Sequence, residues 1–316
     1  MKQLKDDLKN KNFASMYLFY GESYLKKYYE TQFKLTFGKD EIDILEEPKA
    51  EKVSELANSI SFFGTNRLII IRNSGFFSKK NAEALLGIKP TNTIIFIEET
   101  IDKRTKFFKY LKENGEIYEF KTPSEADLIK WLINLAKKSN KELSPKTCKY
   151  FLQTIGTNMY SLENELKKLL SYSESIIYEK DIDDICTKSV EAKIFSMLKA
   201  VGEKKPALVL KEYELLIAEK EEPLKILSMT ARQIRLILRV KSLSQKGLSN
   251  DIIAKKISVL PFVVRECLGQ AKNFKYNSLI SAINEIASLD ANIKQGRVPM
   301  KEGVEIFLTK FSVGEI

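Results

Sequence analysis

The chain has 316 residues, 44% of them apolar, which is enough to fill the cores of two or three domains. Its 52 lysines and arginines against 42 carboxylates give a formal charge of +10, which suits an acidic partner such as nucleic acid or simply a solvated basic surface. There is no histidine, and Cys148, Cys186 and Cys267 lie far apart with no CxxC pair, so structural zinc, a disulfide framework and histidine-based catalysis lack their residues, and neither metal nor cofactor is expected.

No run of about 18 uncharged apolar residues occurs, and the opening MKQLKDDLKNKN has no apolar signal core, so the expectation is a cytoplasmic chain without a membrane partner.

The first 122 residues alternate short β runs with helical stretches. MYLFY (16–20), EIDIL (41–45), RLIII (67–71), TIIFIE (93–98) and EIYEF (116–120) read as strands, separated by AEKVSELANSI and RTKFFKYLKEN. That alternation predicts a parallel α/β sheet. After Lys121-Thr122-Pro123 the β content is expected to stop. Ser124 and Asp127 form a capping box, and Leu128, Trp131, Leu132, Leu135 and Ala136 make an apolar helical stripe. Helices from Ser144-Pro145, over 161–171 and over 180–187 complete a small helical unit, 123–189. From 190 to 316 every segment is helical, including the long PLKILSMTARQIRLILRVKSLSQ, and predicts a third, all-α domain.

LFYGESYLKKYY (18–29) resembles a phosphate-binding loop with its essential parts replaced. A Walker A motif reads GxxxxGK[ST], because backbone N–H groups and a lysine cradle phosphates while a hydroxyl holds magnesium. Gly21 and Lys27 have that spacing, but Lys26 stands in place of the second glycine and Tyr28 in place of Ser/Thr. The third strand ends in Arg72-Asn73, without a magnesium-binding carboxylate; the fourth ends in Glu98-Glu99, either a Walker B pair or acidic residues closing a strand at the surface. No arginine lies between Arg104 and Arg232, so the small helical unit has no guanidinium to offer a γ-phosphate. An active P-loop ATPase is the enzyme alternative, and it fails on these three requirements.

LSNDIIAKKISVLPFVVRECL (248–268) has helix-turn-helix spacing through Ile252, Ile253, Ala254 and Ile257, then Val263 and Val264. Its second helix offers Phe262, Val263, Val264, Arg265, Glu266 and Cys267, of which only Arg265 suits bases or phosphates, so packing inside a helical domain competes with a stand-alone DNA-binding role. Arg232, Arg235 and Arg239 share one face of the long helix, which is either a solvated face or a contact for another subunit or for DNA. Phe62 and Phe63 follow a helix and precede a glycine turn, and are either core or an exposed protein-binding anchor.

Taken together, YLFYGESYLKKYY, GTNMYSLENELKKLLSY, and above all EEPLKILSMTARQIRLILRVKSLSQKGLSNDIIAKKISVLPFVVRECLGQAKNF with SLDANIKQG resemble the delta-subunit family of bacterial DNA polymerase III clamp loaders. The resemblance runs over essentially the whole chain. It implies a divergent AAA+ architecture: a RecA-like α/β domain (1–122), a helical lid (123–189) and an all-helical collar (190–316) that joins subunits. It implies no ATP binding or hydrolysis, which makes Gly21 and Lys27 remnants of an ancestral loop. It also implies binding and opening of the sliding clamp through a Ser-Leu-Phe element, here Ser61-Phe62-Phe63 with Phe for Leu. The implied partners are the clamp, the motor ATPase and delta-prime-like subunits, and primer-template DNA within the replisome at the nucleoid.

Overall fold

The computed structural model describes residues 2–59, 66–78 and 82–316. The chain divides into two compact units, Met1–Thr122 and Pro123–Ile316.

The first unit contains α1 (Lys2–Asn10), β1 (Met16–Gly21), α2 (Ser23–Lys34), β2 (Ile42–Glu46), α3 (Ala50–Ala57), β3 (Leu68–Arg72), β4 (Thr93–Glu98), α4 (Lys106–Asn114) and β5 (Glu116–Phe120). All five strands are parallel, in the order β2-β3-β4-β1-β5. The inner strands β1, β3 and β4 are near-continuous apolar runs because helices cover both faces. Period-2 alternation sends Met16, Leu18, Ile69, Ile71, Ile94 and Phe96 to one face, with Val53 of α3 and Phe107 and Leu111 of α4. Tyr17, Phe19, Leu68, Ile70, Ile95 and Ile97 go to the other, with Leu4 of α1 and Tyr29 and Phe33 of α2. The α1 helix was not evident in the sequence: it is mostly charged, and Leu4 is its one fully buried residue.

In this strand order the chain leaves β1 on one side and returns on the other, so β1 and β4 flank the topological switch point. Open α/β sheets bind their ligands in the crevice outside the carboxyl ends of such strands. That crevice is where a nucleotide would be sought.

The second unit begins with α5 (Glu125–Lys138), β6 (Glu142–Leu143), α6 (Pro145–Ile155), α7 (Met159–Tyr172), β7 (Ile176–Ile177) and α8 (Glu179–Ile185). The Ser124 capping box is present in full: Asp127 N donates to Ser124 Oγ at 3.2 Å, and Ser124 N donates back to Asp127 Oδ2 at 3.2 Å. The expectation that β content ends at residue 123 needs correction. Glu142–Leu143 and Ile176–Ile177 pair in parallel, too short to leave a period-2 pattern in the sequence.

There follow α9 (Val190–Gly202), α10 (Pro206–Ala218), α11 (Pro223–Gln245), α12 (Asn250–Ile257), α13 (Pro261–Ala271), α14 (Tyr276–Lys294) and α15 (Met300–Val313). One apolar cluster, from Ile194 to Phe311, draws on all seven of these helices. Prolines at the first turn of α10, α11 and α13 fix where those helices start, since the missing N–H would have no intrahelical partner there.

Candidate functional site

At the β1–α2 junction Glu22 is the only residue between strand and helix, so there is no loop long enough to wrap phosphates. Gly21 closes the strand at φ +100°, and a Cβ there would lie 2.1 Å from the Phe120 carbonyl oxygen. Its glycine is therefore required by the approach of β1 to β5, with Glu22 N donating to Phe120 O at 2.7 Å. A helix N-terminus attracts anions through its free N–H groups and dipole. Here the Glu22 carboxylate already occupies that position, accepting from Tyr24 N at 3.4 Å.

Lys26 and Lys27 have opposite fates. Lys26 is 5% exposed and donates from Nζ to the Glu98 main-chain oxygen at 3.1 Å, with the Glu99 carboxylate 3.5 Å away. Lys27 points to solvent and pairs with Glu30 at 3.5 Å. Tyr28 is exposed and meets Tyr29 edge to face. The lysine with Walker spacing is thus at the surface, while its neighbour is held in the switch-point crevice.

The carboxylates at the strand ends also have partners. Glu98 is buried, contrary to the expectation of an acidic strand end at the surface. It accepts from the Ser74 hydroxyl, from Ser74 N at 2.9 Å and from Gly75 N at 3.4 Å, so it organises the turn after β3. Burial pushes its pKa up, against those hydrogen bonds. Arg72, at the end of β3, donates to Glu30 of α2 at 2.6 Å, and Lys34 pairs with the same oxygen at 2.5 Å. Burial alone would raise the Glu30 pKa, but the hydrogen bonds from Lys34 and Arg72 bring it below the usual value. Where a motor ATPase needs carboxylates free for magnesium, these side chains bind other parts of the protein.

Ser61, Phe62 and Phe63 lie outside the described residues; α3 ends before them at Ala57 and β3 starts after them at Leu68. Asn66 and Asn92, which bond across the starts of β3 and β4, were not singled out in the sequence because turn-forming asparagines are common before strands.

In the second unit the helix-turn-helix reading loses its recognition surface. Phe262, Val264 and Cys267 of α13 are buried, and Val264 and Cys267 belong to the main apolar cluster; Arg265 pairs instead with Glu125 of α5 at 3.2 Å. Glu266 lies beside a cavity of about 220 Å³ lined also by Glu125, Lys149, Gln153 and Arg265. Burial raises its pKa to about 7, against a hydrogen bond with Gln153 and the charge of Arg265. Arg232, Arg235 and Arg239 are all exposed along one face of α11, opposite buried Ala231, Ile234, Ile237 and Val240. Among the described residues no ion pair engages any of the three. Burial pushes the thiols of Cys148, Cys186 and Cys267 up to about 12, which makes them inert. Among the described residues there is no cluster of three metal-ligating side chains, and no helix is long and apolar enough to cross a membrane.

The family profile described as "DNA polymerase III, delta subunit" matches residues 35–121, and that for the "DNA polymerase III delta subunit, C-terminal domain" matches 191–311. The chain belongs to the DNA polymerase III delta-subunit family. DNA polymerase III subunit delta of Bacillus subtilis (strain 168) is 26% identical over 289 residues, spanning 86% of this chain and 83% of the relative. The solved structure of a Bacillus subtilis DNA clamp loader delta protein superposes with a TM-score of 0.70 at 24% identity, covering 98% of this chain and 99% of the other, and shares its fold. The delta-family profiles cover β2 to β5 of the α/β unit, beginning after the 18–29 stretch, and the all-α region with the arginine face.

Proposed function

We propose that this chain acts as a clamp-loader delta subunit: it binds the sliding clamp and opens one interface of the ring, and it does not hydrolyse ATP. The observation that carries the non-catalytic part is the bond from Lys26 Nζ to Glu98 O across the switch-point crevice, beside a helix N-terminus already filled by Glu22. Family membership supports the clamp-loader role.

In this reading residues 1–122 form an AAA+-type domain whose Ser61-Phe62-Phe63 contacts the clamp, 123–189 form the lid, and 190–316 the collar. Two phenyl rings entering an apolar pocket supply on the order of 1.5 to 3 kcal/mol each, enough to anchor a contact. Opening then draws on binding energy, since the chain holds a distorted ring interface rather than breaking bonds. The exposed Arg232, Arg235 and Arg239 suit an acidic surface on a neighbouring loader subunit, with primer-template phosphates as the second possible contact. Reversing all three to Glu is expected to weaken assembly with the motor and delta-prime-like subunits while clamp binding is kept. The chain works in the cytoplasm, within the nucleoid-associated replisome.

Two measurements on the isolated chain test this function. Calorimetric titration with ATP and magnesium is expected to give no heat of binding, and the sliding clamp of the same organism is expected to co-purify with the chain. Stoichiometric nucleotide binding, or failure to capture the clamp, would contradict it.

A further inference from the structure

We propose that Glu125, Arg265 and Glu266 form a proton-sensitive latch that holds residues 123–189 against the helices of 190–316, with the loop 186–189 as its hinge.

The covalent joint between these two groups of helices is short. α8 ends at Ile185 and α9 starts at Val190, and the loop between them bonds back to the first group: Thr187 N donates to Glu165 Oε2 at 3.0 Å and Ser189 N to Thr154 O at 3.1 Å. Ser189 then caps α9, its hydroxyl accepting from Ala192 N at 3.1 Å. A few element-terminal residues of this kind are where hinge rotations are absorbed. Away from the joint, α13 meets α5 through charge. Arg265 donates to both carboxylate oxygens of Glu125, at 3.2 and 3.4 Å, across 140 residues of sequence. The grip is on the first residue of α5, just after the α/β unit ends at Thr122. Beside the pair, a cavity of about 220 Å³ lies between α5, α6 and α13, with Leu152 and Phe262 as its apolar walls. A water takes roughly 30 Å³ of liquid volume, so several fit. Close-packed interiors hold few voids of that size, and charge rather than close packing carries this contact.

The groups that face Glu266 are Glu125 from α5, Lys149 and Gln153 from α6, and Arg265 and Cys267 from its own helix, while Asp251 of α12 lines the adjoining groove. With its proton on, Glu266 leaves the Arg265 guanidinium to Glu125. With the proton off, a second carboxylate is confined near Glu125 in a partly desolvated space, and opening the contact to water relieves it. The closed form holds this proton with a pKa that burial raises to about 7, whereas a carboxyl released into water returns toward 4.5. The latch is therefore at full strength below about pH 4.5 and weakens as pH rises toward 7.

Double electron–electron resonance on the full chain tests this, with spin labels at Ser171→Cys on α7 and Ser281→Cys on α14, both exposed positions. The native thiols, pushed up to about 12, do not compete for label. Raising the pH from about 5 to about 7.5 is expected to increase the ratio of long to short distances at least about tenfold. Glu266→Gln, which keeps the side chain uncharged, is expected to hold the short distance at both pH values. Arg265→Ala is expected to show the long distance already at the lower pH. A parent distribution that does not change with pH, or a change that persists in Glu266→Gln, overturns the proposal. So does an Arg265→Ala distribution equal to the parent's at the lower pH, since the ion pair would then hold nothing. Should either variant not fold, charge exchange at the ion pair carries the test. Glu125→Arg alone is expected to lengthen the distance and Glu125→Arg with Arg265→Glu to shorten it again; equal distances in both and in the parent overturn the latch.

Discussion

Lys26 reaches from α2 to the main-chain oxygen of Glu98 at the end of β4, 3.1 Å away, and so crosses the crevice at the switch point of the sheet. The crevice where an open α/β sheet would bind a ligand is crossed by a side chain of the protein itself. At this position the obstacle to a nucleotide is occupied space as well as a departure from the Walker pattern.

The two adjacent lysines separate structure from catalysis. Lys26→Ala removes a buried donor and leaves the Glu98 carbonyl without it, so unfolding in urea is expected to register a loss of about 1–3 kcal/mol. Lys27→Ala at the surface should stay within about 0.5 kcal/mol of the parent. It should also leave the ATPase rate of an assembled loader nearly unchanged. A Lys27 variant that folds normally yet abolishes loader ATPase would mean that the Walker spacing is functional after all.

Gly21→Ala is expected to destabilise by at least about 2 kcal/mol, because the new methyl would meet the Phe120 carbonyl at 2.1 Å on a backbone held at φ +100°. Far-UV circular dichroism during urea unfolding reads it directly. A neutral outcome would show that β1 and β5 do not approach as described.

Most of the fold could be read from the sequence. β4 and β5 follow from TIIFIE and EIYEF to the residue, and α11, α12 and α13 from their proline and polar starts, since each has strong local periodicity or punctuation. The β6–β7 pair and α1 could not be read, because two-residue strands and a charged helix with one buried leucine leave almost no pattern. At the site, the spacing of Gly21 and Lys27 suggested a disabled loop, but not that Lys26 would be the buried one. Nor could the sequence reveal that Asn92 bonds to Leu56 and Ser59, 36 and 33 residues away, and to Arg67: a single polar residue before a strand carries no periodic signal. Such contacts depend on which strands neighbour one another, a property of the whole sheet.

Glu266 makes the second unit sensitive to pH. Its pKa in the folded chain is raised to about 7, above the ordinary value of 4.5, so the folded state holds its proton more tightly than the unfolded state does. Stability from this group is therefore full below about pH 4.5 and falls as pH rises toward 7. Arg265, Glu125 and Lys149 share its cavity. Glu266→Gln is expected to raise the melting temperature at pH 8 and to leave it unchanged near pH 4, in a scan of both proteins across that range. Equal melting temperatures at pH 8 would place the carboxylate in water.

The central claim is that Phe62 and Phe63 anchor the clamp, and it is tested most directly by measuring clamp affinity and melting temperature on the same double variant, Phe62→Ala with Phe63→Ala. Aromatic hot spots in a desolvated pocket carry most of an interface's energy, so binding should weaken by at least about 2 kcal/mol, roughly thirtyfold, with the melting temperature hardly moved. A sharp fall in melting temperature with unchanged clamp affinity for the folded fraction would make them core residues, whose truncation costs about 3–5 kcal/mol each, and would contradict the account.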